Sequence, residues 1–90
     1  MDTIYELKEP IKFGSEEISR LVFKPLKAKH LRNLKGKEGF DETLVIASRL
    51  TGVSEDILDE MGIEDVRGVA QVIQSFLKSG HETGPAITQP

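Results

Sequence analysis

The stretch from Ile63 to Leu77 constrains this chain more than any other. Ile63, Val66, Ala70, Ile73 and Leu77 recur at alternating steps of three and four, which lines one face of a helix. Val69 and Phe76 widen that face, and the small Ala70 lets a neighbour come close at its middle. Glu64 and Asp65 fall in the first turn, where the helix dipole favours negative charge, and Lys78 and Gly80 supply a C-terminal stop. The run predicts the last and main helix. Gly68, Val72 and Ser75 form a second stripe on the opposite side, directed to solvent. A glycine there weakens the helix by about 1 kcal/mol relative to alanine. The stripe reads either as ordinary exposed surface or as a shallow small-residue seam against which another helix lies.

A chain of 90 residues makes one small domain with a single core. The absence of cysteine removes any disulfide framework or thiolate metal site. No apolar run is long enough to cross a membrane and no signal-peptide pattern opens the sequence, so a cytosolic location is expected. A net charge of −3 gives no general attraction to nucleic acid or to an anionic membrane.

Along the chain, Thr3 to Leu7 reads as a strand with Tyr5 and Leu7 on one side and Ile4 and Glu6 on the other. Pro10 marks an edge or a break. Gly14-Ser15 suits a tight hairpin turn with glycine at its first central position, after which Ile18 to Lys24 returns as the second strand. A lone hairpin is marginal in water and needs helices packed on it. A short helix over 27–35 follows, closed by Gly36. Asp41 is positioned to cap the next helix, with Phe40 stapled onto Val45 and with Leu44, Ile46, Ala47 and Leu50 buried. Gly52 stops that helix, and Ser54 caps a short acidic one carrying Ile57, Leu58 and Met61. The class is α+β: an N-terminal β-hairpin packed against a small bundle of short helices. Residues 1–78 form the domain and 79–90 a disordered tail, without apolar period and with two prolines.

No catalytic, cofactor or metal constellation is present. His30 and His81 stand alone, and Glu55, Asp56, Asp59 and Glu60 lack the alternating ligands and turn glycine of a calcium loop. The spacing from Ser48 through Gly52 to Leu58 fits a helix-turn-helix DNA reader over 44–61, but those acids would face the phosphates. Electrostatics therefore favours a plain corner between packed helices. From Lys24 to Lys37 there are six Lys or Arg plus His30, and no acid. With no aromatic residue interleaved to stack on bases, this segment fits an acidic protein surface better than nucleic acid, with Lys27 and Arg32 as candidate contacts. That surface could be the acidic segment around Glu55 to Asp65 of a second copy.

Pro10-Ile11-Lys12-Phe13-Gly14, Ile18 to Phe23, Lys24-Pro25, His30-Leu31, Leu50-Thr51-Gly52-Val53 and the closing Asp65-Val66 to Phe76-Leu77 together resemble the small tail assembly chaperones of long-tailed phages, the E-type group best known from contractile-tailed phages. The resemblance runs from about Ile4 to Leu77, and His30 departs from it, standing where an acidic residue is common. It implies a non-enzymatic protein of a phage or prophage that binds the tape measure protein in the host bacterial cytoplasm. Such proteins keep that partner soluble during tail morphogenesis and are absent from the virion. It also implies a possible second, longer form made by programmed frameshift; Ser75-Phe76-Leu77 permits codons with an uninterrupted T run for slippage. Homo-oligomers are compatible with it. The alternatives are a small DNA-binding regulator and a structural tail or baseplate component.

Overall fold

The computed structural model describes the backbone of residues 2–87 and the side chains of residues 2–78. Within it, alternation at the N-terminus produces β1 (Thr3–Phe13) and β2 (Glu16–Phe23), paired antiparallel. Phe13 pairs with Glu16 across a two-residue turn in which Gly14 takes φ 63°, a left-handed conformation that glycine adopts without strain. Tyr5, Leu7, Leu21 and Phe23 point to the core, while Ile4, Glu6, Arg20 and Val22 are exposed on the other face.

The ladder is interrupted between Glu6 and Ile11, where four residues of β1, Leu7 to Pro10, oppose Ser19 alone. Pro10 cannot donate to a ladder, so a bulge is the place in a strand that accepts it. The backbone N–H groups of Lys8 and Glu9 in this bulge donate to the Asp65 carboxylate, at 2.9 Å to Oδ1 and 3.1 Å to Oδ2. The Tyr5 hydroxyl donates to the same Oδ1 at 2.9 Å. Asp65 is 1% exposed, so its charge is buried and held by three donors. Burial pushes its pKa up, but the bonds from Lys8, Glu9 and Tyr5 outweigh it and set the carboxyl below its usual value.

Between the hairpin and the helices, a single 3-10 turn (Ala28–Leu31) replaces the helix expected over 27–35. Its histidine explains the tightness. His30 is buried, and its Nδ1 accepts the backbone N–H of Lys27 at 2.9 Å. Arg49 then donates to the carbonyls of His30 and Arg32, tying the segment to the following helix. That helix, α1 (Phe40–Thr51), starts two residues earlier than a cap at Asp41 would place it. Gly39 at φ 60° occupies the cap position in place of Asp41, no side chain caps it, and Phe40 is 45% exposed. Asp41 instead sits in the first turn and acts on the dipole. The buried side of α1 is Val45, Ile46, Ala47 and Leu50, with Leu44 half-buried. Gly52, left-handed at φ 79°, ends the helix, and its N–H donates to the Ser48 carbonyl at 2.8 Å. Ser54 caps α2 (Glu55–Leu58) by accepting from the Ile57 N–H, as expected.

The last helix is α3 (Ile63–Ile87). Its backbone runs on through Gly80, where the sequence placed a stop, to Ile87; of the tail predicted over 79–90, residues 88–90 lie outside the described residues. α3 packs on α1 and β1. Its inward face is Val66, Val69 and Ile73, widened by Val72 and Phe76, whose ring meets that of Phe23 edge-on at 6.4 Å. The face is rotated from the one drawn by periodicity: Ile63 is 52% and Leu77 40% exposed, and the polar Asp65 takes an inward place. The reason is the bulge, whose backbone donors attract a carboxylate to where the apolar count had put the helix edge.

Three stability measurements follow. Ile73→Ala should lower unfolding free energy by about 2–5 kcal/mol, whereas Ile63→Ala should stay within about 0.5 kcal/mol. Asp65→Asn, which turns one acceptor oxygen into a donor facing a backbone N–H, should cost about 2–4 kcal/mol. Equal losses at Ile63 and Ile73 in chemical denaturation would show the face to be misassigned. The third concerns pH. Burial, then Lys29, Lys27 and Arg49, hold the His30 pKa below its ordinary value. Unfolded chains therefore take up a proton that the folded chain resists, and stability should fall as pH drops below about 6.5. His30→Gln should flatten that fall between pH 7 and 5 in thermal melts. The Asp65 contribution, present above the ordinary carboxylate pKa, is lost only at more acidic pH, as it falls through the depressed value.

Candidate functional site

Tyr5 decides the shape of the surface where β1 meets α3. Its hydroxyl reaches Asp65, three residues before Gly68 on the same side of α3, so its ring lies over Gly68. A methyl group added at Gly68 would overlap the Tyr5 hydroxyl and ring. Gly68 therefore does not face open solvent as the periodicity suggested; it is half-buried because a strand side chain rests on it. Burial, reinforced by the Asp65 carboxylate, pushes the Tyr5 pKa up, so the phenol remains a donor at neutral pH.

The outcome is an open groove along α3. Tyr5 and Gly68 line it together with Val72 and Ser75, while Lys8 and Arg67 supply cationic walls. The three residues of the predicted stripe, Gly68, Val72 and Ser75, are thus gathered in one concavity. Val72 is half-buried and packs partly against the core, so it offers the groove only part of its surface. Ser75 is exposed, and its hydroxyl already donates to the Val72 carbonyl at 2.7 Å. It offers the groove acceptor capacity. Lys8 also approaches Glu64 at 3.8 Å, with both side chains largely exposed. Such a pair is weak and leaves the lysine free to exchange partners. The arrangement can hold a partner by shape, by apolar contact with Val72 and by the positive charges of Lys8 and Arg67, which stand beside the acid of Glu64 in the same lining.

Lys27 and Arg32, the other two predicted contacts, are placed elsewhere. Both are exposed, and they flank the 3-10 turn, which contacts α1 and not α3. The structure does not bring them to the groove. Tyr5, Lys8, Arg67 and Asp65 were not singled out from sequence as site residues. The available signal was the three-residue step from Asp65 to Gly68, a carboxylate and a gap on one helix side. On α2, Glu55 and Asp56 are exposed, as are Asp59 and Glu60 just beyond it, and the helix has only four residues. A DNA reader would present a longer helix with positive charge there. Among the described residues, no group of His, Cys, Asp or Glu could hold a metal ion, and no helix is long and apolar enough to cross a membrane.

Comparison with curated proteins and with solved structures finds no match. A family profile does match: phage tail assembly chaperone proteins, E, or 41 or 14, over residues 4–78. That span takes in the hairpin, the bulge, the helical corner and α3 through the whole groove. This match agrees with the resemblance seen in the sequence, and the chain belongs to the phage tail assembly chaperone family.

Proposed function

We propose that this protein binds the tape measure protein of its phage in the host bacterial cytoplasm, keeps it soluble while the tail is built, and does not remain in the virion. The observation that carries this reading is the family match across residues 4–78. On this reading the protein works by binding and not by catalysis. The groove supports it physically. A tape measure helix with an apolar stripe and acidic flanks would set the stripe on Val72, its backbone close to Gly68, and its acids toward Lys8 and Arg67. Lys27 and Arg32 form a separate basic surface, which on this reading would contact acidic stretches of the same long partner.

A frameshifted longer form fits the same picture. Phe76 is the last α3 residue packed on the core among the described residues, so slippage at Ser75-Phe76-Leu77 would leave every described core contact common to both products. Reading the gene tests this: the idea requires a slippery run near Phe76 and an overlapping open frame.

The binding reading is tested by co-expressing the chain with tape measure fragments and measuring the soluble fraction and the affinity. The wild-type chain should raise the soluble fraction. Arg67→Glu, exposed on the groove wall, should weaken binding about tenfold or more with the melting temperature kept, whereas Val72→Glu should weaken binding and also lower the melting temperature, since Val72 packs partly on the core. Lys27→Glu with Arg32→Glu should weaken it less. No binding by the wild-type chain would refute the function, and binding indifferent to Arg67→Glu would refute the groove. Gly68→Ala is a poor probe of the groove, because the clash with Tyr5 predicts lost stability instead of the gain expected for an exposed helix position.

A further inference from the structure

The face of the hairpin turned away from the helices carries a pattern that the groove and the core do not use. Ile4 pairs with Val22 and Glu6 with Arg20, and all four side chains are on this outer face. Ile4 is 53% and Val22 41% exposed, a costly placement for two adjacent β-branched residues in a chain of this size. Glu6 and Arg20 approach at 3.6 Å across the strands. One step beyond the apolar pair in the other direction, Asp2 and Lys24 flank the strand ends, both exposed and of opposite charge. The outer face thus carries an isoleucine–valine row next to the Glu6–Arg20 row, and Asp2 and Lys24 stand just beyond the strand ends. Near this end the acids Asp2 and Glu6 come from the β1 side and the bases Arg20 and Lys24 from the β2 side, while beyond the bulge the exposed Lys12–Glu17 pair has the reverse order.

We infer that this face is the contact between two copies of the chain, stacked sheet on sheet about a two-fold axis parallel to the strands. The charge pattern selects both occupant and orientation. A rotation about that axis keeps each row at its own level but exchanges the strands, so β1 of one copy faces β2 of the other. Ile4 then meets Val22, Glu6 meets Arg20 and Asp2 meets Lys24, each contact occurring twice. A two-fold axis across the strands would instead set β1 on β1, bringing Glu6 onto Asp2 and Arg20 onto Lys24, like charges throughout. Stacked sheets lie about 10 Å apart, a distance that glutamate and arginine side chains span from opposite sides. The patch is small, so the dimer belongs with interfaces below about 1,200 Å² and should exchange rapidly. The acid–base contacts make it sensitive to salt, since screening shortens to about 3 Å at 1 M.

Sedimentation velocity of the full chain across a concentration series tests this. The wild type should pass from monomer to dimer in the micromolar range, and the dimer should weaken at high salt. Glu6→Arg and Arg20→Glu should each weaken self-association about tenfold or more, because each places like charges opposite one another twice. Mixing these two variants should restore a dimer, now containing one copy of each. The double variant Glu6→Arg with Arg20→Glu should dimerise by itself. Circular dichroism melts on every variant separate loss of association from loss of fold. A wild type that stays monomeric at about 200 μM, variants that dimerise like wild type, or a mixture of the two single variants that remains monomeric would each overturn the proposal. Tape measure binding is read separately, so either result leaves the proposed function standing or falling on its own test.

Discussion

A buried carboxylate bonded to the backbone of a broken strand holds the two halves of this molecule together. Asp65 has almost no exposed surface, and it survives there because the bulge supplies the N–H groups of Lys8 and Glu9 and the strand supplies the Tyr5 hydroxyl. A buried charge without such donors would be strongly unfavourable. The bulge in turn needs an acceptor, since backbone donors displaced from a ladder otherwise go unsatisfied. Strand irregularity and helix acid are therefore one structural feature contributed by residues more than fifty apart in sequence. Because Asp65 lies in the first turn of α3, the same contact fixes where that helix begins and how it is rotated about its axis.

From that rotation the groove follows. Once Asp65 faces the hairpin, Gly68 comes beneath Tyr5 and Val72 and Ser75 continue along the margin of the contact. A larger residue at position 68 would push Tyr5 off Asp65 or lift β1 from the helix. The glycine is thus required by close approach within the domain, and the concavity beside it is a consequence. Whatever binds there inherits a rigid floor, since its glycine and tyrosine are held by the interaction that orients the two halves.

How much of this was legible in the sequence depends on whether the signal was local. The hairpin turn at Gly14, the stop at Gly52 and the Ser54 cap are set by a few neighbouring residues, and the structure has each where the sequence put it. The buried side of α1 was also readable from its own spacing. The orientation of α3 was not. Counting apolar residues put Ile63 and Leu77 inside and Gly68 outside, because an aspartate in a first turn reads as a dipole effect. Its partners are backbone atoms of β1, which no side-chain pattern reveals. The expected helix over 27–35 failed for a related reason: the bond of the Lys27 N–H to the His30 ring and the hold of Arg49 on two carbonyls tighten that segment into a 3-10 turn. The stripe Gly68, Val72 and Ser75 was found as a set for its spacing, although its surroundings were misjudged.

The hairpin divides the labour between its two faces and its edge. Its inner face is needed for the core, through Leu7, Leu21 and Phe23. Its β1 edge, where Tyr5 reaches α3, bounds the groove. Its outer face has no role within the domain, yet it keeps an isoleucine and a valine side by side next to the Glu6–Arg20 row. A two-stranded sheet buried on one side gains little stability from apolar residues on the other, so that pattern is not accounted for by folding alone. Two copies joined through it would carry their grooves on the outside of the pair, away from the contact. A long helical partner meeting such a pair would find two grooves in place of one, and the second would be engaged at the high effective concentration set by the first. Weak individual contacts are then enough for firm retention, while separation of the copies lets the partner go.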